Sequence, residues 1–410
     1  MTQVANQGPE GPIFNPFESG YHDDPYSRYA RLRDSDPVHK TAIGAWVLTR
    51  HRAVAAVLSD HRQSVEFRRA SAEIQGLFQS VAADRTERDG RTMLSSDPPT
   101  HTRLRKLVSK AFTPRAIREL EGRVAELVDE ALDRVEQDGE MDVIGDLAFP
   151  LPFAVISEML GMPTQRRDEL REWSGAVVKM LDPIAMGDEV SKAVAASEKM
   201  DAYIAEVIAD KRKHPGDDML TAMISAEEAG DQLTAEELQY QVSLLYIAGH
   251  ETTVNLIGNG VLALLRNRAQ LERLRDDPSI EANAVEELLR YDSPVQFSRR
   301  VTLEPIELED TTIEPGAVIM LGLGAANRDP EMFGPDAGEL DLGRADAGKH
   351  VAFGGGVHYC LGAALARIEG RAAITRLVRR FPKIEMTSED VTWNGRMNLR
   401  GLAELPVTLR

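Results

Sequence analysis

The chain has 410 residues, with 48 Lys+Arg against 66 Asp+Glu and a formal net charge of −18. That balance speaks against nucleic acid or an anionic membrane as a partner, because both repel an acidic protein; its plainer meaning is solubility. A single cysteine excludes an intrachain disulfide, and no basic segment leads into an apolar run before Asn15, so no signal peptide is read. No apolar stretch of about eighteen residues stands out, so the chain reads as soluble and cytoplasmic.

Residues 1–20 are rich in Gly, Pro, Asn and Gln and read as a mobile tail ahead of one domain over residues 21–410. Pro25–Arg33 fits a short helix, and Val38–Thr41 and Trp46–Thr49 fit strands separated by Gly44. Thr113 caps a helix opened by Pro114, in which Ile117, Leu120, Val124, Leu127, Val128, Ala131 and Leu132 keep the helical period. Further helices are predicted over 151–161, 165–181, 188–213 and 217–229. The longest opens at Thr234, which forms a capping-box pattern with Glu237, and runs to about Leu265. Ile280–Tyr291 is helical and stops before Pro294. Strands are expected at Val301–Leu308 and Val318–Leu323, with a turn at Pro315-Gly316, and a last helix from near Cys360 to Pro382. With no repeat and no linker, the fold class is mainly α with minor β.

The densest chemical signal is Phe353-Gly354-Gly355-Gly356-Val357-His358-Tyr359-Cys360-Leu361-Gly362. A lone cysteine is commonly a small buried hydrophobe. Here the glycines let the backbone approach something flat, and a helix N-terminus at the cysteine favours a thiolate. Such a thiolate suits a nucleophile or a metal ligand. A phosphate cradle at the glycines would lack its strand and its Lys-Ser/Thr or Gly-x-Gly-x-x-Gly arrangement. Ala248-Gly249-His250-Glu251-Thr252-Thr253 lies inside the longest helix. Its glycine and β-branched residues weaken the helix by roughly 1 kcal/mol, and an acid beside a hydroxyl can pass protons where a helix opens. The plain alternative is an exposed Glu251 and a core Thr252. Glu287 and Arg290 share a helix face and can pair. His101 and Arg105 also share one, and either grip an anion or form a solvated basic face.

Together these motifs resemble those of the haem-thiolate monooxygenases, the cytochrome P450 family, in its soluble bacterial branch. Phe353, Gly356, Cys360 and Gly362 match Phe-x-x-Gly-x-x-x-Cys-x-Gly, and Ala248–Thr252 match Ala-Gly-x-Glu-Thr. Glu287 and Arg290 match Glu-x-x-Arg, and Asn327-Arg328-Asp329-Pro330 followed by Phe333 resembles the family's segment at that point. The resemblance runs from about Pro25 to the end. It implies a single-domain fold with a long central helix over haem b (iron protoporphyrin IX) and a small β-rich region. It implies Cys360 as the axial ligand of the haem iron, whose thiolate favours O–O cleavage. Glu251 and Thr252 would deliver protons during O2 activation. His101, Arg105, Arg300 rather than Arg299, and His358 would bind the haem propionates, with Glu287 and Arg290 tying their helix to the segment around Arg328.

The resemblance also implies pocket walls from residues 63–91, residues 173–190, Leu244, Ile247 and Ala248, then Val295, Gln296 and Phe297, and the turn Met397–Leu399. Their apolar character implies an apolar substrate, with Gln296 as its one polar anchor. Residues 62–91 read equally as a lid or as a solvated loop. The Gly-His-Glu-Thr-Thr-Val-Asn run is similar to actinobacterial hydroxylases of macrolides, other polyketides, terpenoids and steroids. No flavin or iron–sulfur segment is present, so NAD(P)H electrons would arrive through a ferredoxin reductase and a ferredoxin, with Arg103, Lys106 and Lys110 as a basic docking stripe on a monomer. Alternatives are a peroxide-driven or coupling haem catalyst and a haem-based sensor or carrier; the Glu251-Thr252 pair speaks for O2 activation. A cysteine hydrolase would need a base near Cys360, and His358, two residues away in a glycine turn, is badly placed for that.

Overall fold

A computed structural model describes residues 14–81, 92–109, 112–182, 188–228 and 233–409. Most of the expected tail, the end of the 62–91 segment, part of 173–190 and Lys110 lie outside the described residues. Apolar periodicity explains the helices that surround the site. Pro114–Val135 buries Ile117, Val124, Val128, Ala131 and Leu132 on one stripe, and Thr113 Oγ1 caps it by accepting from the Ala116 amide. The longest helix spans Ala235–Arg266 and opens with the full reciprocal Thr234–Glu237 capping box.

The chain holds one apolar stretch that the sequence reading passed over. Val143–Leu160 is helical over 18 residues and apolar enough by length and composition to cross a membrane, yet 67% of it is buried inside the protein. It packs on the longest helix through two glycines of that helix. A Cβ on Gly249 would lie 2.7 Å from Ile156 Cγ1, and one on Gly258 would lie 2.5 Å from Ile144 Cδ1. The stretch is apolar all round because it is core on most sides.

Five short strands form the main sheet in the order Val38–Lys40, Trp46–Leu48, Val318–Gly322, Phe297–Thr302 and Gln63–Ser64. Trp46–Leu48 runs parallel to Val318–Gly322, and the other neighbours are antiparallel. The expected strand Val301–Leu308 is two strands, Phe297–Thr302 and Ile306–Leu308. Pro305 stands between them and has no amide to give to a ladder. The last helix starts at Ala363 rather than at Cys360, with Gly362 as its cap residue.

The buried ion pair of Glu287 and Arg290 joins these parts. Both side chains are 0% exposed, with contacts of 2.6 and 2.7 Å. Arg290 also donates to the carbonyls of Asn327, Ala337 and Glu339. Asn327 Oδ1 in turn accepts from the Val351 amide at 2.7 Å, at the start of the loop that carries Cys360.

Candidate active site

Nearly every residue of the long helix between Leu238 and Leu264 is buried or half-buried, with one opening. Leu244, Ile247 and Thr252 are half-buried and Ala248 is exposed, while Leu245, Tyr246, His250, Glu251 and Thr253 around them are buried. The spacing of three, four and eight residues puts the open ones on a single helical stripe. Thr252 Oγ1 donates to the Ala248 carbonyl at 3.3 Å, so the hydroxyl sits within this stripe. Sequence logic predicted a weakened helix here, and the structure keeps it helical throughout.

A second opening lies at Cys360. Solvent reaches the thiol although protein surrounds it on most sides, as at the floor of a recess. The loop is folded by its glycines: Gly354 and Gly356 take φ of 70° and 63°. Gly355 and Gly356 serve a close approach, but to chain rather than to something flat, since added Cβ atoms would lie 3.1 Å from Leu58 Cβ and 2.6 Å from the Leu58 carbonyl. Burial pushes the Cys360 thiol up; a hydrogen bond from the Gly362 amide and the charges of Arg105 and Arg367 oppose it and do not prevail. The helix begins at Ala363, three residues beyond the thiol, and the amide of its cap residue Gly362 is the helix-end donor that reaches the sulfur.

His101, Arg105, Arg300 and His358 converge beside this loop. The His101 and His358 rings are 4.4 Å apart. His101 is buried, and neither of its ring nitrogens has a partner. Arg105 Nη2 donates to the Tyr359 carbonyl at 2.6 Å. Arg300 is 4% exposed, whereas Arg299 is exposed and lies over the Phe67 ring. The Arg300 guanidinium finds Ser298 Oγ and the carbonyls of Arg299 and Leu58, and among the described residues no carboxylate within ion-pair distance. Burial brings Arg300 down to about 10, with distant Asp97 opposing. Burial and then the neighbouring cations Arg300, His101 and Arg105 bring His358 down to about 3. A group of cations and donors in which His101 and Arg300 are buried and Arg105 and His358 half-buried, with so little acid, is an unmet demand for an anion.

Glu251 is turned to another side of the long helix. Its Oε1 is 2.9 Å from Ser174 Oγ, and its Oε2 is 2.7 Å from Arg396 Nη1. Burial works to raise its pKa, but the His250 ring, 3.6 Å from Oε1, and the charge of Arg396 outweigh burial and hold it at about 2. His250 Nδ1 donates to the Tyr246 carbonyl at 2.7 Å, and its Nε2 is 3.1 Å from Ser174 Oγ. Asn255 and Asn259 continue this face at helical spacing: a Cβ on Gly401 would strike Asn255, and Asn259 Nδ2 donates to the Arg400 carbonyl. Residues 396–401 therefore lie along a polar stripe of the helix. Sequence reading missed Arg396, which has no motif around it.

The model of the family described as Cytochrome P450 matches residues 38–279 and 281–402. The chain belongs to the cytochrome P450 family. It is 44% identical to Cytochrome P450 107B1 of Saccharopolyspora erythraea over 97% of this chain and 98% of that one. The solved structure of the tirandamycin C-bound P450 monooxygenase TamI superposes with a TM-score of 0.85 at 40% identity, covering 96% of this chain and 99% of the other. That of P450BioI in complex with a hexadec-9Z-enoic acid-ligated acyl carrier protein gives a TM-score of 0.87 at 37% identity over 96% and 99%. The mainly helical fold with small sheets and the monooxygenase class expected from the motifs both hold.

As a cytochrome P450 the chain works with haem, and its residues suit one. The recess offers a thiol, the cluster beside it lacks an anion, and His101 holds two unused ring nitrogens in the interior. A coordinated thiol is deprotonated outright, which overcomes the effect of burial. The pocket assignments need correction at two places. Gln296 is 1% exposed and its Nε2 donates to Tyr26 Oη and the Ser293 carbonyl, so it anchors the protein's own interior rather than a ligand. Phe297 packs edge-on against Tyr29 and Phe14 in the cluster around the first helix. Phe297 opens the strand Phe297–Thr302 with its ring on the aromatic cluster, and Gln296, just ahead of that strand, is held by Tyr26 and Ser293. Val295 and Leu399 are paired across one β-bridge. In the basic stripe, Arg103 is engaged by Glu237 at 3.1 and 2.5 Å.

Proposed function

We propose that this monooxygenase holds haem through Cys360 and inserts one oxygen atom into a mid-sized, mainly apolar natural product of macrolide, polyketide, terpenoid or steroid type. The observation that carries the reading is the open stripe of Leu244, Ile247, Ala248 and Thr252, which contains Ala248, the one exposed residue of the long helix between Leu238 and Leu264. Bound haem supplies O2 activation with electrons from NAD(P)H. The chain's own residues do the rest. His101, Arg105, Arg300 and His358 take the propionates, which gives the orphaned donors their partners. Leu244, Ile247 and Ala248 present an apolar wall that recognises shape and excludes water. The Thr252 hydroxyl, within that wall, hands a proton into the cleft, and Glu251 replenishes it. Electrons come from a ferredoxin and its reductase. The tirandamycin C-bound and acyl-carrier-bound relatives support free and carrier-tethered substrates respectively.

Reduced protein with carbon monoxide is expected to show the red-shifted Soret band of thiolate ligation, and Cys360→Ser to lose it. A library of macrolides, steroids, terpenoids and fatty acids, screened for the low-spin to high-spin shift, is expected to give hits among rigid apolar compounds. Wild-type protein without the carbon monoxide band refutes the haem assignment, and hits confined to small polar molecules refute the substrate class.

A further inference from the structure

The first helix, Pro25–Ser35, leaves a cavity of about 300 Å³ where it meets residues 325–338. None of the residues around this cavity belongs to the propionate group, the open stripe or the implied pocket wall. Two arginines line it. Arg33 is 7% exposed; its Nη1 donates to the Ala325 carbonyl at 3.1 Å, and its Nε is buried without a hydrogen bond. The nearest carboxylates, Asp34 and Asp329, stand 3.9 Å from that nitrogen. Asp34 is exposed, and Asp329 already accepts from the amides of His51 and Glu331. Burial therefore brings the Arg33 pKa down although both acids oppose it. Arg328 is clamped between the rings of Tyr26 and Tyr291, at 3.7 and 4.0 Å, and its Nε donates to the Tyr291 carbonyl at 2.7 Å. Its two terminal nitrogens make no hydrogen bond among the described residues.

We propose that this cavity binds a free monocarboxylate with a short apolar body, its carboxylate taken by Arg33 and Arg328. Both guanidiniums hold unspent N–H donors in fixed positions, and a planar carboxylate accepts two such donors at once. One negative charge suits the site better than two, because Asp24 stands in the same lining, where its Oδ1 accepts from the Ser27 amide at 3.1 Å. Ala30, Pro330, Pro335 and Ala337 form the walls that meet the apolar body. The volume is at the small end of ligand sites, so an inorganic ion underfills it and a macrolide does not enter. Ala337, in this wall, also gives its carbonyl to Arg290 at 2.7 Å. A bound carboxylate thus ties the first helix to the frame around Glu287 and Arg290. The site is independent of the haem assignment.

Benzoate is the probe, titrated calorimetrically into the haem-loaded protein with the Soret band recorded at each addition. Benzoate in the reaction cleft moves that band; benzoate at Arg33 and Arg328 does not. Expected is a Soret-silent binding event that benzyl alcohol, with the ring but not the charge, does not give. Losing one charged hydrogen-bond partner costs about tenfold in affinity, so Arg328→Gln is expected to weaken the event by that factor. A Cβ on Gly338, in the cavity lining, meets nothing within 4 Å. Gly338→Leu therefore fills the space without straining the fold, and is expected to abolish the event at an unchanged unfolding midpoint. Added benzoate is expected to slow hydrogen exchange over residues 25–35 and 325–338 of wild type and not of Gly338→Leu. Absence of a Soret-silent event in wild type overturns the site, as does an event that keeps its affinity in both variants. Tighter binding of inorganic phosphate than of benzoate overturns the ligand class.

Discussion

Two buried carboxyl groups, Glu251 and Glu369, lie against different faces of the long helix and are treated in opposite ways. Glu251 has a cation and stays ionised. Glu369, on the last helix, is 1% exposed, and neither of its oxygens makes a well-formed hydrogen bond; only the Thr253 hydroxyl interacts with it. Burial raises its pKa to about 8 against that weak opposition. The folded state thus prefers the neutral acid, and the unfolded chain does not. Stability due to Glu369 is complete below the ordinary value of 4.5, falls as pH rises toward about 8, and is level above that. The loss is at most about 1.4 kcal/mol per pH unit across that window. Glu369→Gln is expected to be less pH-sensitive than wild type between those limits and more stable at neutral pH, measured by urea midpoints across the range; parallel curves for the two proteins would show that Glu369 is solvated or ionised in place.

Among the elements, the contact between the helix Val143–Leu160 and the long helix decides how near the two can come. A methyl on Gly249 meets Ile156 at its Cγ1 and Cβ, close to the backbone, whereas a methyl on Gly258 meets only the mobile Cδ1 end of Ile144. Replacing Gly by Ala in a helix gains about 1 kcal/mol, and overpacking a tight core costs about 1–3 kcal/mol. Gly249→Ala is therefore expected to lower the unfolding midpoint and Gly258→Ala to leave it near wild type or above; the reverse order would mean that the two helices are free to separate. Local chemistry made the motif residues legible, because a cysteine after glycines and an acid before a hydroxyl are unusual text in a helical chain. Helix existence was legible from period and caps, as the Thr234 capping box illustrates. Side-chain direction was not: Gln296 and Phe297 sit beside Val295 in sequence, yet Tyr26 and Ser293 hold Gln296 in the interior and the Phe297 ring joins the aromatic cluster of the first helix. Arg396 was invisible among 48 basic residues, since its meaning lies in a contact 145 positions away.

On the scale of the molecule, the junction at Glu287 and Arg290 holds the helix Glu281–Tyr291, the segment 327–344 and the Cys360 loop in one frame. Arg344 adds a second cation to Glu287 at 3.3 Å. Removing one partner of such a pair leaves charge in the interior and costs about 3–5 kcal/mol, a large share of the roughly 5–15 kcal/mol that holds a domain together. Glu287→Gln is expected to purify in low yield with a reduced ratio of haem to protein; full haem content at wild-type stability would show that the frame does not depend on the charge. The seating of Gly355 and Gly356 against Leu58 has a mechanical meaning. Leu58 belongs to the sheet-rich cluster with Leu48, Ile319 and Leu321, while the long helix belongs to the main helical core. The loop that presents the thiol is thus packed from two sides, through Gly355 and Gly356 on Leu58 and through Ala352 and Phe353 on Leu256 of the long helix, so a change of packing in either cluster is transmitted to the thiol.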